Sequence, residues 1–440
     1  MAIAAMNKSV PILKLTTLWI FVWIMVFTST DALKRKLQTN YWPNCKDFQE
    51  SCNIARSLGD NVVYTKASTD QNDNLHYVFS TIGIPTVMLA RTTGADADLY
   101  FEWDQLMSND STNSVFLKNT KGVKVEYMYA VTFTQLIEYN DTNDHADLTN
   151  KELEQKNFIF RDFRNFFWKT LPLMSNGDNE IVFNSTTDSP AKQSNNGSIS
   201  FSFKVHENDG RSSELPALVY SANVTQFDFV LANYTPSFSK SRFALEAVLV
   251  SLTDSQMSIN EVDSIDDEYS PGVFQINNWL SNPKKQHISG FLQWKPVSYL
   301  SESRSRKSAT KVKHYKLADI SDRELSVEQV NSSIVLGLFG HVFERKDVTV
   351  KASNISFGLS GDGFYLENNY TVWSASIGYG QPPADALSTT VIIIISAGLG
   401  IPVILIIFGG IYTIFRRTRG RSGYQAINNG SINRSNPQVN

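Results

Sequence analysis

Cysteine and histidine are scarce in this 440-residue chain, which contains two cysteines and six histidines. The histidines are scattered, and no His-Glu-x-x-His, Cys-x-x-Cys or phosphate-binding-loop motif occurs. A charge excess is also missing, because 40 lysines and arginines stand against 43 aspartates and glutamates. These absences give no support for a metalloprotease, a nucleotide-binding enzyme or a nucleic-acid-binding protein. We therefore expect no metal, no other cofactor and no nucleic-acid partner.

Long apolar runs are confined to the two ends of the chain. The first, Leu18–Phe27, follows two lysines and ends shortly before a small-residue cleavage site at Leu33. Its length fits the apolar part of a signal peptide and is short for a membrane span. We expect residues 1–32 to be a signal peptide. The basic residues 34–36 keep an uncleaved anchor open as the alternative.

The second apolar run, Val391–Phe415, contains no charged residue and is followed by four arginines between positions 416 and 421. As a helix it would be about 38 Å long, which exceeds the roughly 30 Å of a bilayer's hydrocarbon core. Arginines on one side only place the C-terminus in the cytosol. The sequence thus predicts a lumenal ectodomain over 33–388, a membrane helix over 389–415 and a cytosolic tail over 416–440.

The cytosolic tail contains a tyrosine followed three residues later by an aliphatic residue, Tyr424 and Ile427. Clathrin-adaptor subunits bind such a segment as an extended strand, with one pocket for each of the two side chains. Because the tail is polar and has no core to bury the tyrosine, we interpret the segment as a lysosomal sorting signal.

The predicted ectodomain carries nine Asn-x-Ser/Thr sequons, which favour a dense glycan coat in the secretory pathway. They are Asn109, Asn140, Asn184, Asn196, Asn223, Asn233, Asn331, Asn354 and Asn369. The two cysteines, Cys45 and Cys52, suit one small disulfide loop in an oxidising lumen.

Apolar residues along the ectodomain mostly alternate with polar ones, which indicates strands with one solvated face. Strands are predicted at Ile199–Val205, Phe227–Leu231, Val131–Tyr139, Phe243–Leu252 and Ile334–Phe343, and a hairpin turn at Asp362-Gly363. Phe243–Leu252 is also compatible with a helix, and a helix is expected from Thr149 towards Trp168. The fold class is mainly all-β, a sandwich-like ectodomain with subdomain boundaries near 185–197 and 301–310.

Several other patterns are weaker candidates for function. Asp141, Asn143, His145, Asp147 and Glu152 match part of a calcium-loop spacing, but Ala146 replaces the glycine of the sharp turn, which favours a hydrated acidic loop. Ser360 resembles a hydrolase nucleophile only until Asp362, which replaces the final glycine, so a turn serine is favoured. The basic stretch Arg304–Lys316 is interpreted as an exposed, protease-sensitive lumenal loop.

Several segments resemble one family closely, that of the glycosylated lysosomal membrane protein. They are Asn74–Ser80, Phe133–Tyr139, Ser264–Pro271, Val273–Ile276, Gly290–Tyr299 and Tyr424–Asn428. The resemblance implies a β-rich lysosomal ectodomain with one membrane helix that forms a homodimer. It also implies an accessory subunit that protects a major-facilitator dipeptide transporter from lysosomal proteases, with no catalytic residues. Unlike the family pattern, this chain lacks further lumenal cysteine pairs and extends beyond the sorting motif, from Asn429 to Asn440.

The resulting hypothesis is a non-enzymatic, single-pass type I lysosomal glycoprotein that stabilises and shields a multi-pass transporter. Two alternatives stay open at this point. A lysosomal hydrolase with an unrecognised pair of acids would carry the same glycans and sorting signal. A cell-surface receptor or adhesion ectodomain that recycles through endosomes would share them as well.

Overall fold

The computed structural model describes residues 33–94, 97–118, 122–171, 180–185, 197–253, 255–264, 269–385 and 389–419. It divides into two units, of which the first ends at Asp385 and the second contains the C-terminal helix. The predicted signal peptide and most of the predicted cytosolic tail, with Tyr424 and Ile427, lie outside the described residues.

The first unit is built mainly of antiparallel strands. In chain order they are β1 (Lys36–Tyr41), β2 (Val62–Ser68), β3 (Asp73–Ser80), β4 (Thr86–Thr93), β5 (Leu99–Phe101), β6 (Val115–Leu117), β7 (Lys124–Asn140), β8 (Phe158–Asp162), β9 (Lys169–Leu171), β10 (Glu180–Ser185), β11 (Ser198–Val205), β12 (Gly210–Arg211), β13 (Val219–Tyr220), β14 (Val224–Ala232), β15 (Ser241–Leu252), β16 (Ser258–Asp263), β17 (Gln275–Leu280), β18 (Gly290–Trp294), β19 (Val297–Tyr299), β20 (Ala309–His314), β21 (Val348–Phe357) and β22 (Tyr370–Tyr379).

Short helices interrupt these strands. In the described part of the first unit they are α1 (Gln49–Leu58), α2 (Trp103–Leu106), α3 (Glu324–Asn331), α4 (Ile334–Phe339) and α5 (Tyr365–Asn368). Single 3₁₀ turns occur at Gln155–Asn157, Phe163–Asn165, Gln286–Ile288 and Arg306–Ser308. The second unit contains the helix α6 (Thr389–Arg419).

Two antiparallel sheets form the sandwich. The first sheet has the order β1-β2-β3-β4-β7-β15-β21-β20, with β8 beside the C-terminal half of β7. The second sheet has the order β9-β10-β11-β14-β22, and β22 then pairs with both β18 and β19; β17 and β16 follow β18. Strand β20 pairs with β19 through its first half and with β21 through its second half, so it connects the two sheets at one edge.

The main core lies between the facing sides of the two sheets and is rich in aromatic residues. Alternation on β11 directs Phe201 and Phe203 inward, as the period of two predicts. Their rings meet Phe133 and Phe79 of the first sheet, with centroids 4.9 Å and 5.0 Å apart, respectively. A second core covers the outer face of the first sheet, where Tyr64, Val78 and other strand residues pack against α1 to α4 and the β5–β6 hairpin. The molecule therefore has three layers in this region.

The prediction of a mainly all-β sandwich is confirmed. Strands occupy Ile199–Val205, Phe227–Leu231 and Val131–Tyr139, and Phe243–Leu252 is a strand rather than a helix. Eleven of the twelve residues of β15 are buried, because the strand pairs with β7 and β21 along its two edges and is covered on both faces. A strand buried on both faces loses the alternation that would have distinguished it from a helix.

The predicted strand at Ile334–Phe343 is wrong. Residues Ile334–Phe339 form α4, whose N-terminus is capped by the Ser333 hydroxyl, which accepts a hydrogen bond from Val335 N–H. Gly340, with a φ of +70°, ends the helix. Since a continuous apolar run has no alternation, it cannot separate a buried helix from a buried strand.

The predicted helix between Thr149 and Trp168 is also wrong. This segment contains turns, two 3₁₀ turns and β8, which pairs with β7 where that strand extends beyond β4. The predicted hairpin at Asp362-Gly363 does not form either. Phe364 is instead the N-cap of α5, and the Asp362 carboxylate accepts hydrogen bonds from Leu359 N–H and from Arg242.

The two predicted subdomain boundaries fall at connections between strands. The first, near 185–197, lies mostly outside the described residues. The second, 301–310, contains the 3₁₀ turn Arg306–Ser308 between β19 and β20. Both boundaries stay predictions.

Helix α6 confirms the predicted membrane span. Residues Thr390–Thr418 are apolar enough and long enough to cross a bilayer, with a mean hydropathy of 3.0 over the most apolar window. Pro402 lies inside the helix. Prolines are tolerated in membrane helices more readily than in soluble ones.

Candidate functional site

Eight of the nine predicted glycosylation sites lie in described residues, and none of these eight asparagines is buried. Asn109 and Asn233 are exposed, and the other six are partly exposed: Asn140, Asn184, Asn223, Asn331, Asn354 and Asn369. Asn196 lies outside the described residues. The sequons are thus sterically compatible with glycans, while their occupancy stays a prediction.

Two of the sequons lie side by side. Asn233 N–H donates a hydrogen bond to Asn369 O at 2.7 Å, and both residues have a positive φ, which asparagine tolerates. They flank the paired ends of β14 and β22. Glycans on both would therefore emerge from the same corner of the second sheet.

The cysteine prediction is confirmed, since Cys45 and Cys52 form a disulfide. The bond connects the loop after β1 to the first turn of α1. Cys52 is buried with Ala55 against the outer face of the first sheet. The disulfide therefore fixes α1 to the neighbouring loop.

Arg242 is the centre of a buried charge cluster. Its guanidinium lies 2.8 Å from Asp141, 2.6 Å from Asp144 and 2.8 Å from Asp362. Arg242 and Asp141 have side chains that are 3% and 1% exposed, respectively. Asp141 also accepts hydrogen bonds from the backbone N–H groups of His145 and Ala146. The cluster joins the end of β7, the start of β15 and the 358–362 loop.

This cluster changes the interpretation of the acidic loop. The expected hydrated loop is correct for Asn143, His145 and Glu152 at the surface and wrong for Asp141, whose charge is neutralised by the buried Arg242. Within the described residues, no group of three or more histidine, cysteine, aspartate or glutamate side chains is placed to hold a metal ion. The three carboxylates of the Arg242 cluster surround the guanidinium, so we assign them a structural role.

Two other patterns are placed by the structure. Ser360 is exposed in a turn, as expected for a turn serine. The basic stretch is more ordered than predicted: Arg304 is ion-paired with Asp228 and hydrogen-bonded to Ser374, and residues from Ala309 form β20. The expected protease-sensitive loop is therefore wrong for the segment after Arg306–Ser308.

Fully buried His76 and partly buried Asp60 have pKa values that are shifted in opposite directions. His76 is fully buried, with Nδ1 2.7 Å from the Tyr64 hydroxyl and Nε2 2.8 Å from Thr92 Oγ1. Burial, assisted by Lys66, lowers the pKa of His76 to about 4. Burial raises the pKa of Asp60 to about 6, against a hydrogen bond from the Gly83 backbone. We expect the imidazole to stay mostly neutral in an acidic lumen, where the carboxyl is mostly protonated.

The end of the first unit is held by a buried ion cluster. Asp385 lies 3.0 Å from Arg211 and 2.8 Å from Lys295, and its side chain is 4% exposed. Ser264 donates a further hydrogen bond to it at 3.2 Å. Gln293 donates to the carbonyl oxygen of Pro383 at 2.9 Å. These contacts attach the last residues before the membrane helix to the second sheet.

Sequence reasoning missed the clusters around Arg242 and Asp385. In each of them the partners are about 100 or more residues apart along the chain, for example Arg242 and Asp362 or Arg211 and Asp385. No local spacing signals such a pairing. Only the strand order of the sheets brings these charges together.

Comparison with known proteins places these features in a family. The model of the glycosylated lysosomal membrane protein family matches residues 61–420. The chain belongs to this family. Glycosylated lysosomal membrane protein A of Xenopus laevis is 33% identical over 378 residues, which cover 84% of this chain and 89% of the relative.

Other members of the family match over similar lengths. The glycosylated lysosomal membrane protein of Danio rerio is 30% identical over 90% of this chain and 93% of its own length. The human protein is 28% identical over 81% of this chain and 84% of its own length. These relatives are named as lysosomal membrane glycoproteins. Helix α6, the one candidate span among the described residues, and the β-rich unit before it accord with a single-pass lysosomal membrane protein.

Proposed function

We propose that this member of the glycosylated lysosomal membrane protein family is a non-enzymatic accessory subunit that stabilises a multi-pass lysosomal transporter and shields it from proteolysis. A transporter of the major-facilitator type that carries dipeptides is the partner that the family resemblance implies. In this role the ectodomain contributes steric protection, and α6 places it in the same membrane as the transporter.

The observation that carries this proposal is the distribution of sequons over a compactly paired ectodomain. Eight asparagines lie at or near the surface, and they occur on both sheets, in the loops and at the end of α3. Proteases need an extended, accessible stretch of backbone, and paired strands withhold it. Glycans on such a surface add bulk that keeps a protease away from the ectodomain and from a docked neighbour.

The charged groups of the described residues support a structural role. The buried acids Asp141, Glu138 and Asp385 are each ion-paired with an arginine or a lysine. A hydrolytic pair would instead need two carboxylates with separated pKa values that face a common cleft. Carboxylates that are neutralised in this way support packing better than proton transfer.

Trafficking belongs to the same proposal. We expect Tyr424 and Ile427 to bind a clathrin adaptor and deliver the protein to lysosomes, and we expect two copies to form a homodimer. The adaptor mode requires only a short extended tail segment. Tyr424→Ala should shift the protein to the cell surface, where a receptor that does not depend on the signal would already be found.

The decisive experiment measures transporters in lysosomal membranes with and without this protein. We expect one multi-pass transporter to co-purify with the full chain and to lose most of its abundance when the chain is deleted, while its messenger RNA stays constant. Protease inhibition should restore the transporter, because the proposed defect is degradation. Re-expression of a chain in which the eight described sequon asparagines are changed to Gln separates the glycans' contribution from docking.

Unchanged levels of every lysosomal transporter after deletion would contradict the accessory role. If a small-molecule substrate accumulated after deletion and the purified ectodomain alone removed it at acidic pH, the protein would instead be a hydrolase.

A further inference from the structure

A groove of about 680 Å³ lies beside the disulfide loop at the N-terminal edge of the first sheet. It is lined by β1 and β2, by the loop from Trp42 to Asp47, and by the ends of the β5–β6 hairpin. Its volume is within the range of ligand-binding clefts, about 300–1,000 Å³.

Aromatic rings and cations meet in this groove. The Trp42 ring stacks on Trp103 with centroids 5.3 Å apart, and the Arg56 guanidinium lies 4.6 Å from the Trp42 centroid. Lys118 Nζ lies 4.8 Å from the centroid of Tyr100. Trp42 has a φ of +53°, a conformation that costs a bulky residue about 1–3 kcal/mol. The surrounding contacts hold this tryptophan in place against that cost.

The groove has an excess of positive charge. Three lining cations are exposed and form no ion pair with any described residue: Lys46, Arg56 and Lys118. The groove is lined by two carboxylates, Asp47 and Asp98, and Asp98 is already paired with Lys66 at 3.0 Å. Asp47 is therefore the one lining acid that offsets the three cations. The charge therefore complements an acidic ligand.

Strand β1 offers a free edge beside the groove, since within the described ranges it pairs only with β2. Trp42 N–H donates to Val62 O at 3.0 Å, which sets the phase of the antiparallel ladder. Because inward and outward backbone groups alternate, three residues of β1 direct their N–H and C=O groups away from β2: Leu37, Thr39 and Tyr41.

One backbone hydrogen bond already forms along this edge, just before the first residue of β1. Arg35 N–H, which has the outward phase, donates to Glu207 O at 2.9 Å. Strand β1 itself has six residues and carries no proline, a residue that would block strand addition. The edge is therefore geometrically ready to pair with another extended segment.

Sequons are also absent from this part of the surface. All nine occur from Asn109 onward, and residues 33–108, which include β1 to β5, α1 and α2, carry none. A binding edge in a glycan-rich ectodomain must stay free of glycans, because one bulky sugar would block an approaching chain.

We propose that the free edge of β1 and the adjoining groove bind an extended, acidic polypeptide segment by strand addition. Backbone groups of the segment pair with Leu37, Thr39 and Tyr41, and its carboxylates face the cations of the groove. Such binding is independent of the accessory-subunit role proposed above.

The test uses the full chain in detergent micelles and a fluorescein-labelled octapeptide in which glutamate and valine alternate. Fluorescence anisotropy should give a dissociation constant in the micromolar range, and the lysine–valine counterpart should not bind. The triple variant Lys46→Glu, Arg56→Glu, Lys118→Glu should weaken binding by about tenfold or more. Thr39→Pro should weaken it by about tenfold as well, since it removes an outward N–H and no backbone hydrogen bond to β2. Thr39→Val, which also loses the side-chain hydrogen bond to Thr65 but keeps the N–H, should leave the affinity unchanged.

The matched control reverses three exposed cations elsewhere: Lys284→Glu, Lys285→Glu and Lys307→Glu. It should leave the affinity unchanged, and circular dichroism should show that every variant folds. The proposal is wrong if the octapeptide fails to bind at millimolar concentration or if the control loses as much affinity as the groove variant. It is also wrong if a sulfated oligosaccharide displaces the peptide and is itself insensitive to Thr39→Pro, because the groove would then be a general polyanion site.

Discussion

Arg242 connects three segments of the ectodomain: β15, the loop after β7 and the 358–362 loop. Its guanidinium is hydrogen-bonded to Asp141, Asp144, Asp362 and the carbonyl oxygen of Leu359. A buried cation of this kind contributes little net stability relative to an apolar core, but its removal leaves buried carboxylates without a partner. The cluster therefore explains why the 358–362 loop folds back on the sandwich.

Arg242→Met should lower the free energy of unfolding by about 3–5 kcal/mol, because Asp141 remains buried and unpaired. Urea unfolding followed by tryptophan fluorescence measures this loss. Arg306→Met is the matched control, since Arg306 is exposed, and it should change the free energy of unfolding by less than about 0.5 kcal/mol. Equal losses in the two variants would show that the Arg242 cluster has no special role.

His76 and Asp60 have opposite effects on the dependence of stability on pH. The folded pKa of His76 lies below its unfolded value, so its contribution is present above about pH 6.5 and is lost as the pH falls towards 4. The folded pKa of Asp60 lies above its unfolded value, so its contribution is present below about pH 3.8 and is lost as the pH rises through 6. The two effects partly cancel in the pH range of a lysosome.

His76→Gln should therefore flatten or reverse the loss of stability between pH 6.5 and 4.5, by an amount on the order of 2 kcal/mol. Asp60→Asn should steepen that loss by a similar amount, since it removes the compensating carboxyl. Urea unfolding at a series of pH values measures both slopes, and the two variants serve as controls for each other. Parallel pH profiles for wild type and both variants would refute the assignment.

At the scale of secondary-structure elements, α1 is the helix that the sequence obscures. Its polar sequence has no side-chain N-cap, and the signals that are present are weak: Glu50 in the first turn, Arg56 in the last and Gly59 after the end. The helix forms because Cys52 and Ala55 bury against the first sheet and because the disulfide holds its first turn. Both causes are tertiary.

The disulfide should stabilise the protein by about 2.5 kcal/mol, the value expected for the small loop between Cys45 and Cys52. We expect Cys45→Ala with Cys52→Ala to lower the free energy of unfolding by about 2–3 kcal/mol and to leave the sandwich folded. Urea unfolding measures the loss, and reduced wild-type protein is the control that separates the bond from the substituted side chains. A complete loss of structure would mean that α1 and its loop are needed for the sheets to form.

The sequence signal for a strand is clearest where one face of the sheet is solvated. On β11 and β14, serine, glutamine and aspartate alternate with phenylalanine, so the period of two is visible in the sequence. It failed for Ile334–Phe339, where nearly every side chain is buried and the run carries no alternation. The Ser333 hydroxyl that caps this helix was the one local signal that indicated a helix.

At the scale of the whole molecule, the sequence predicts the fold class and the membrane topology better than it predicts the charge clusters. The span, the disulfide and the sandwich follow from composition and local pattern. The pairing of Arg211 and Lys295 with Asp385 depends on strand order, which brings together residues that are 174 and 90 positions apart in the chain. Charges paired in this way are invisible to any local spacing rule.

Glycans should protect the folded ectodomain sterically rather than by raising its stability. If native protein is deglycosylated with an endoglycosidase, we expect a lysosomal endoprotease at acidic pH to cleave it several-fold faster, while the urea midpoint of unfolding stays the same. Cleavage that follows the population of unfolded chains would track the free energy of unfolding, so a change in rate without a change in midpoint separates the two mechanisms.

The positions of the first cleavage sites provide a matched comparison within the same molecule. The surface from Leu33 to Ser108 carries no sequon, so its cleavage rate should be similar before and after deglycosylation, whereas the corner that carries Asn233 and Asn369 should become more sensitive. Mass spectrometry of the first fragments distinguishes the two regions. Uniform acceleration over the whole ectodomain together with a lower urea midpoint would show that glycans act through stability, and the steric basis of the shielding proposal would then be lost.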